Sequence, residues 1–145
     1  MTANHNLRFA MISLNFGAGT IMALDFRTFI PDLAETKTAT TNALGVSFRH
    51  FDCAEPYRIE RQVGESFSAE LATGAIVCED VFITTKLWNT NHRPERVGQA
   101  FDANCERLRI SNLDLYLIHN SGPHGHRKSI EWRQSLGQFC RYCPI

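Results

Sequence analysis

Short apolar runs rich in aromatic and β-branched residues alternate along this chain with longer segments of helical character. Four such runs are strand candidates, at residues 22–29, 48–54, 80–88 and 113–119. Strands that alternate with helical segments form βαβ units, in which neighbouring strands are parallel. The alternation therefore predicts an α/β fold on one parallel sheet, with the chemistry at the carboxyl ends of the strands.

The segments between the strand candidates carry start and stop signals for helices. Three helices are predicted, over residues 32–45, 60–73 and 94–109. Asp32 can cap the first and Pro94 can open the third, while Gly45 and Gly74 can end the first and second. Apolar side chains recur at helical spacing in the second and third helices, at Val63, Phe67, Leu71, Val97, Phe101, Cys105 and Leu108. These side chains are predicted to face the core.

The N-terminal segment reads as a hairpin. Two short apolar runs within residues 7–24 flank the sequence NFGAG at residues 15–19. Asn and Gly tolerate the left-handed backbone conformations that tight turns require. The segment is therefore predicted to form a β-hairpin ahead of the parallel sheet.

The composition is that of an ordinary globular protein. Its 145 residues fit one domain, 43% of them are hydrophobic, and 15 basic side chains balance 15 acidic ones. A nucleic-acid-binding protein normally carries an excess of positive charge. No stretch approaches the ~18 consecutive apolar residues of a membrane span. We therefore expect neither nucleic acid nor a membrane as a partner, and a small molecule as the substrate.

The cysteines and the N-terminal segment indicate in which cellular compartment the protein works. The 5 cysteines are an odd, scattered set that does not resemble a disulfide framework. The N-terminal apolar stretch is too short for a secretory signal. Both features predict a cytoplasmic protein, in which Cys53, Cys78 and Cys105 serve as small core residues.

The alternating pattern stops after His119. Residues 120–145 show no strand period and only a weak helical one. A shifted reading frame or an incorrect gene end produces such a change, and an irregular but genuine tail is the alternative. We therefore expect a folded domain over residues 1–119 and a divergent, irregular segment over residues 120–145.

Polar side chains lie at or just after the ends of the strand candidates. They are Asp52, Tyr57, Lys86 and His119. In a parallel barrel these ends meet at one rim. A nearby ammonium stabilises a phenolate, an aspartate keeps that ammonium charged, and a histidine can orient a carbonyl oxygen. Each residue alone is more often a capping, packing or solvated side chain, but the four together can protonate a carbonyl oxygen while a hydride reaches its carbon.

Three long blocks of sequence carry a resemblance to a known family. They read RHFDCAEPYRIERQVGES, EDVFITTKLWNTNHRPERV and LDLYLIH. From about residue 7 to residue 119 the chain resembles the aldo-keto reductases. The resemblance implies a partial (β/α)8 TIM barrel, made of the hairpin and about four parallel βα units over residues 1–119. It also implies a monomeric oxidoreductase that reduces aldehydes or ketones to alcohols with NADPH.

The same resemblance assigns roles to individual residues. It implies that Tyr57 donates the proton, that Lys86 makes Tyr57 a better acid, that Asp52 supports Lys86, and that His119 orients the substrate carbonyl. Asp52 and Thr28 would also lie at the cofactor. Side chains expected beside the substrate are Phe29, Trp88 and His119.

The chain also departs from the family pattern. A complete barrel takes ~250 residues, so the half that grips the rest of NADPH in the family has no counterpart here. The family motif Leu-Gly-x-Gly-Thr appears as LDFRT at residues 24–28, with Asp25 and Arg27 at the glycine positions. A side chain at such a position can crowd the cofactor. Ser121 stands where the family has proline.

Two alternatives remain beside an active reductase. A partial barrel has open sheet edges, so the chain can be a non-catalytic fragment that self-associates or pairs with a full-length reductase. Alternatively, four residues of the C-terminal segment have the chemistry of a tetrahedral zinc site. They are His124, His126, Cys140 and Cys143. No metal is expected at the rim itself.

Overall fold

The computed structural model describes residues 10–13, 20–29 and 32–120. The predicted hairpin is confirmed by two short antiparallel strands, β1 (Met11–Ser13) and β2 (Thr20–Met22). Met11 lies opposite Met22 in this pair. The predicted turn at residues 15–19 lies outside the described residues.

Four parallel strands form the main sheet, as the alternating pattern predicts. They are β3 (Phe26–Arg27), β4 (His50–Asp52), β5 (Phe82–Leu87) and β6 (Leu115–Ile118), and they lie side by side in that order. Because every strand points the same way, their carboxyl ends meet at one edge of the sheet.

The prediction of one strand over residues 22–29 is wrong. The run is divided by a bend at Ala23 and Leu24. Met22 belongs to the hairpin, where it pairs with Met11, and only the segment Phe26–Arg27 joins the parallel sheet. The apolar run is continuous in sequence, but its two parts pair with different partners.

Three helices connect the strands close to the predicted bounds. They are α1 (Leu33–Gly45), α2 (Glu60–Ala72) and α3 (Pro94–Leu108). The Asp32 carboxylate caps α1 by accepting a hydrogen bond of 2.8 Å from the Glu35 amide. Beyond α1 the left-handed residue is Ser47 (φ 73°), not Gly45, whereas Gly74 (φ 71°) has that conformation after α2, as predicted.

The core lies between the sheet and the helices, which pack α1 on α2 and α2 on α3. Phe51 of β4 is fully buried and meets Phe67 of α2 with ring centroids 5.1 Å apart. The predicted inward faces are confirmed: all their members are buried except Leu71, which is partly buried. None of the described helices is long and apolar enough to cross a membrane.

Helices α2 and α3 approach each other closely at Gly64. A Cβ atom on Gly64 would lie 2.5 Å from the backbone oxygen of Arg107 and 2.6 Å from the carbonyl carbon of Leu108. Real Cβ atoms do not approach backbone that closely, so only glycine fits this position without a shift of one helix.

A buried carboxylate joins α2, α3 and β5. Glu60 is 1% exposed and accepts hydrogen bonds from Thr85 Oγ1 (2.7 Å), Asn104 Nδ2 (2.8 Å) and Arg107 Nε (2.7 Å). Tyr116 of β6 donates to Asn104 Oδ1 at 3.2 Å, and burial raises the pKa of its hydroxyl. The network satisfies a charge that would otherwise be costly to bury.

Candidate active site at the carboxyl ends of the strands

The four polar side chains predicted to share a rim do meet there. Asp52 is the last residue of β4, Lys86 is the penultimate residue of β5, and His119 directly follows β6. Tyr57 ends a short 3₁₀ helix, Glu55–Tyr57, in the loop after β4. The parallel order of the strands brings together residues that lie far apart in sequence.

An ion pair between Lys86 and Asp52 lies at the base of the site. Lys86 Nζ is 2.5 Å from Asp52 Oδ1, and it also donates to the backbone oxygen of Cys53 at 2.8 Å. The two charged side chains are only 15% and 21% exposed. Such a short, largely buried charge-assisted hydrogen bond fixes the position of the ammonium.

Tyr57 lies above this ion pair. The Lys86 ammonium is 5.5 Å from the centre of the Tyr57 ring, and the Phe29 ring packs edge-on against it with centroids 4.9 Å apart. The cation at the hydroxyl itself is Arg27, whose Nη2 donates to Tyr57 Oη at 3.2 Å. Tyr57 therefore has two positive charges close to it.

His119 faces Tyr57 across the rim. Its ring centroid is 5.9 Å from that of Tyr57 and 5.2 Å from that of Trp88. Burial, followed by the positive charge of Lys86, lowers the pKa of His119, so the imidazole is neutral near pH 7. Its Nδ1 is buried and has no hydrogen-bond partner among the described residues. A neutral imidazole with an unpaired nitrogen is suited to a polar ligand atom.

The other predicted site residues are Thr28, Phe29 and Trp88, and each contacts a different one of the four polar residues. Thr28 is fully buried, and its Oγ1 donates to the backbone oxygen of Asp52 at 3.1 Å, so it ties β3 to β4 beneath the site. Phe29 is 56% exposed beside Tyr57, and Trp88 is partly buried beside His119. Phe29 and Trp88 thus provide apolar surface next to the polar pair, while the role of Thr28 at the cofactor stays a prediction.

The roles of two residues near the site do not follow from the sequence alone. In the sequence Arg27 is only a departure from a glycine pattern, and the register that aligns it with Asp52 brings it to Tyr57. Glu60 carries no sequence signal, because its partners Asn104 and Arg107 lie on another helix.

Cys53, next to Asp52 in the chain, is buried. Burial raises the pKa of Cys53 to about 12, which leaves a protonated, unreactive thiol. No group of three potential metal-ligating side chains is found in residues 10–13, 20–29 and 32–120. The zinc ligands proposed in the C-terminal segment lie outside these ranges.

Comparison with known proteins gives one consistent family. The model of the Aldo/keto reductase family matches residues 16–133, so the similarity continues past His119. Glycerol 2-dehydrogenase (NADP(+)) of Hypocrea jecorina is 44% identical over 133 residues, which cover 90% of this chain and 41% of that protein. The chain spans between 26% and 41% of the length of the curated relatives that it matches.

Solved structures share the fold. The aldose reductase from Schistosoma japonicum superimposes with a TM-score of 0.76 at 37% identity, covering 83% of this chain and 40% of that one. An aldo-keto reductase of Bombyx mori in complex with NADP gives a TM-score of 0.72 at 33% identity, covering 76% of this chain and 38% of that one. The partial barrel predicted from the sequence is confirmed by these superpositions.

Proposed function

Because this chain belongs to the aldo/keto reductase family, we propose that its rim site reduces small aldehydes or ketones to alcohols with NADPH. The observation that carries the proposal is the Lys86–Asp52 ion pair beneath Tyr57, with neutral His119 facing the same tyrosine. The NADP-linked names of the Hypocrea jecorina relative and the Bombyx mori structure support the choice of cofactor.

The described residues fit the reacting end of such a cofactor. Exposed Phe29 and partly buried Trp88 offer apolar surface to a flat ring, and the unpaired Nδ1 of His119 offers a hydrogen bond to a polar atom. NADPH supplies a hydride to the carbonyl carbon when bound. All other parts of the reaction fall to the side chains of the chain itself.

Tyr57 and His119 share the work at the carbonyl oxygen. As the carbon gains a hydride, the electron pair of the C=O double bond moves to the oxygen, which takes the proton of the Tyr57 hydroxyl. His119 donates a hydrogen bond to the same oxygen without adding a charge, because its pKa is lowered. The phenolate left on Tyr57 is stabilised by the nearby Lys86 and Arg27 cations until solvent returns the proton.

The proposal is tested first by titrating the full chain with NADPH and then by following NADPH consumption with a panel of aldehydes and ketones. Removal of a general acid costs roughly 10²–10⁴-fold in rate. We therefore expect Tyr57→Phe to lose at least the lower part of that range while still binding NADPH.

Tyr116→Phe is the matched control for this experiment. It removes a buried tyrosine hydroxyl that bonds Asn104 away from the rim, and it keeps the ring contact with Phe101 at 5.5 Å. The control is expected to retain carbonyl reduction. Failure of the full chain to bind NADPH saturably, or full activity in Tyr57→Phe, contradicts the proposal.

A further inference from the structure

Arg27 occupies an unusual place for an exposed arginine. It ends the two-residue strand β3, directly beside Asp52 in the register of the sheet. From there its Nη2 donates to Tyr57 Oη at 3.2 Å, and its guanidinium carbon lies 5.8 Å from the centre of the Tyr57 ring. The motif to which this segment is similar has glycine here, so the cation is a property of this chain.

In this hydrogen bond Arg27 donates and Tyr57 accepts, so the Tyr57 hydroxyl proton stays available for transfer. A guanidinium has five N–H donors and no acceptor. Tyr57 Oη must therefore accept from Arg27, and its own proton points elsewhere. Arg27 thus lies at the hydroxyl without using the hydrogen that the proposed reaction needs.

The cation at the Tyr57 hydroxyl, Arg27, has no close acidic partner among the described residues. Lys86 is paired with Asp52 at 2.5 Å, and His119 is neutral near pH 7 because its pKa is lowered. Arg27 forms no ion pair within 4.0 Å among the described residues; the hydrogen bond to Tyr57, and more weakly the carboxylates of Asp52 and Asp25, raise the pKa of its guanidinium. A substrate therefore meets a guanidinium without an ion pair beside the proton donor.

We infer that Arg27 is a specificity-determining residue that selects carbonyl substrates with a carboxylate on the adjacent carbon, the 2-oxo acids. The inference rests on the proposed function, since a carbonyl oxygen bound to Tyr57 Oη defines where the rest of the substrate lies. In a 2-oxo acid the carboxylate is attached directly to the carbonyl carbon. It is therefore placed beside the hydroxyl that Arg27 already contacts at 3.2 Å.

Guanidinium and carboxylate are well matched in shape and charge. The planar N–H fork of arginine can bind both oxygens of a carboxylate, and hydrogen bonds between ionised groups are about twice as strong as neutral ones. A plain ketone with a methyl group in the same place gains nothing from Arg27. The side chain therefore discriminates between the two substrates.

The test compares two ligands that differ in this group alone. Phenylglyoxylate and acetophenone share a phenyl ketone but carry a carboxylate and a methyl group, respectively. Each is titrated into the full chain and its dissociation constant is measured by NMR. For wild type we expect phenylglyoxylate to bind at least about tenfold more tightly, the effect of one charge-assisted hydrogen bond.

Two variants separate the charge of Arg27 from its bulk. Arg27→Gln keeps a polar side chain without the charge and is expected to bring the two affinities within about twofold of each other. Arg27→Lys keeps the charge but not the fork and is expected to retain part of the preference. Equal affinities in wild type, no binding of either ligand, or an unchanged preference in Arg27→Gln would overturn the inference.

The readout separates this inference from the proposed function. A chain that prefers phenylglyoxylate through Arg27 but consumes no NADPH supports the assignment of Arg27 and refutes carbonyl reduction. A chain that reduces acetophenone and phenylglyoxylate equally well, and binds them equally, supports reduction and refutes the role of Arg27.

Discussion

Lys86 shows how one side chain can organise a site through contacts made in different directions. Its ammonium bonds Asp52 on the neighbouring strand and the Cys53 backbone oxygen, while Tyr57 lies over it. Because two acceptors hold the ammonium, its distance to the Tyr57 ring is fixed by the sheet rather than by Tyr57 itself. A lysine free to move in solvent would provide a weaker and less constant field.

His119 connects the site to the pH dependence of stability. Its pKa is lower in the folded chain than the ordinary value of 6.5, first through burial and then through Lys86. The unfolded chain therefore binds more protons than the folded chain in the interval below that value. We expect the free energy of unfolding to decrease as the pH falls through this interval, and the decrease to be smaller in His119→Asn.

Urea denaturation at a series of pH values checks this expectation. His50→Asn is the matched control, because His50 lies on β4 away from the rim and bonds Thr84 Oγ1 at 3.1 Å. An identical pH dependence in wild type and His119→Asn would contradict the assignment of a lowered pKa to His119.

At the level of residues, the sequence can predict which side chains come together when each lies at the end of a predicted strand. Asp52, Lys86 and His119 could be placed at one rim because each lies at or next to the end of a recognisable strand. Arg27 and Glu60 could not be assigned in this way. Arg27 contacts Tyr57, which lies 30 residues away in the sequence. Glu60 contacts Thr85 and Arg107, which lie 25 and 47 residues away, and only the packed fold creates these contacts.

At the level of elements, the contact between α2 and α3 depends on one missing side chain. We expect Gly64→Ala to destabilise the fold by about 1–3 kcal/mol, the usual cost of forcing an extra methyl group into a packed contact. The reason is that the new Cβ would meet the backbone of Arg107 and Leu108.

Gly98→Ala is the matched control within α3. No atom lies within 4 Å of a Cβ at Gly98, so this change should stabilise the helix by about 0.5–1 kcal/mol. Urea unfolding of the two variants measures the difference. Equal midpoints for Gly64→Ala and Gly98→Ala would show that α2 and α3 do not approach each other as described.

Helices were easier to predict than strands for a physical reason. The signals that start and end them are local: Asp32 caps α1, Gly74 follows α2 and Pro94 opens α3. A strand exists only where a partner pairs with it. The run at residues 22–29 therefore could not be divided from the sequence, because the division depends on the pairing of Met22 with Met11.

At the level of the whole molecule, the described parallel sheet has two edges, β3 and β6. Leu115 and Leu117 on β6 are 37% and 41% exposed. Exposed apolar side chains on an edge strand favour association with another chain. We therefore expect the chain to self-associate as its concentration rises, and Leu117→Lys to reduce the association.

Sedimentation velocity over a range of concentrations measures this behaviour. Leu33→Lys is the control, because Leu33 is 50% exposed but lies at the start of α1 rather than on the sheet. A monomer at every concentration, or an equal effect of Leu33→Lys, would contradict association through β6.

The buried Glu60 network has a consequence for the two groups that flank the proposed reaction. Thr85, which bonds Glu60 at 2.7 Å, is the neighbour of Lys86, and Glu60 itself lies three residues after Tyr57. One carboxylate in the interior therefore holds the chain segments that carry Tyr57 and Lys86 at a constant separation. The buried Glu60 network therefore holds Tyr57 and Lys86 in place before a substrate binds. Little free energy is then lost to rearranging these two side chains on binding.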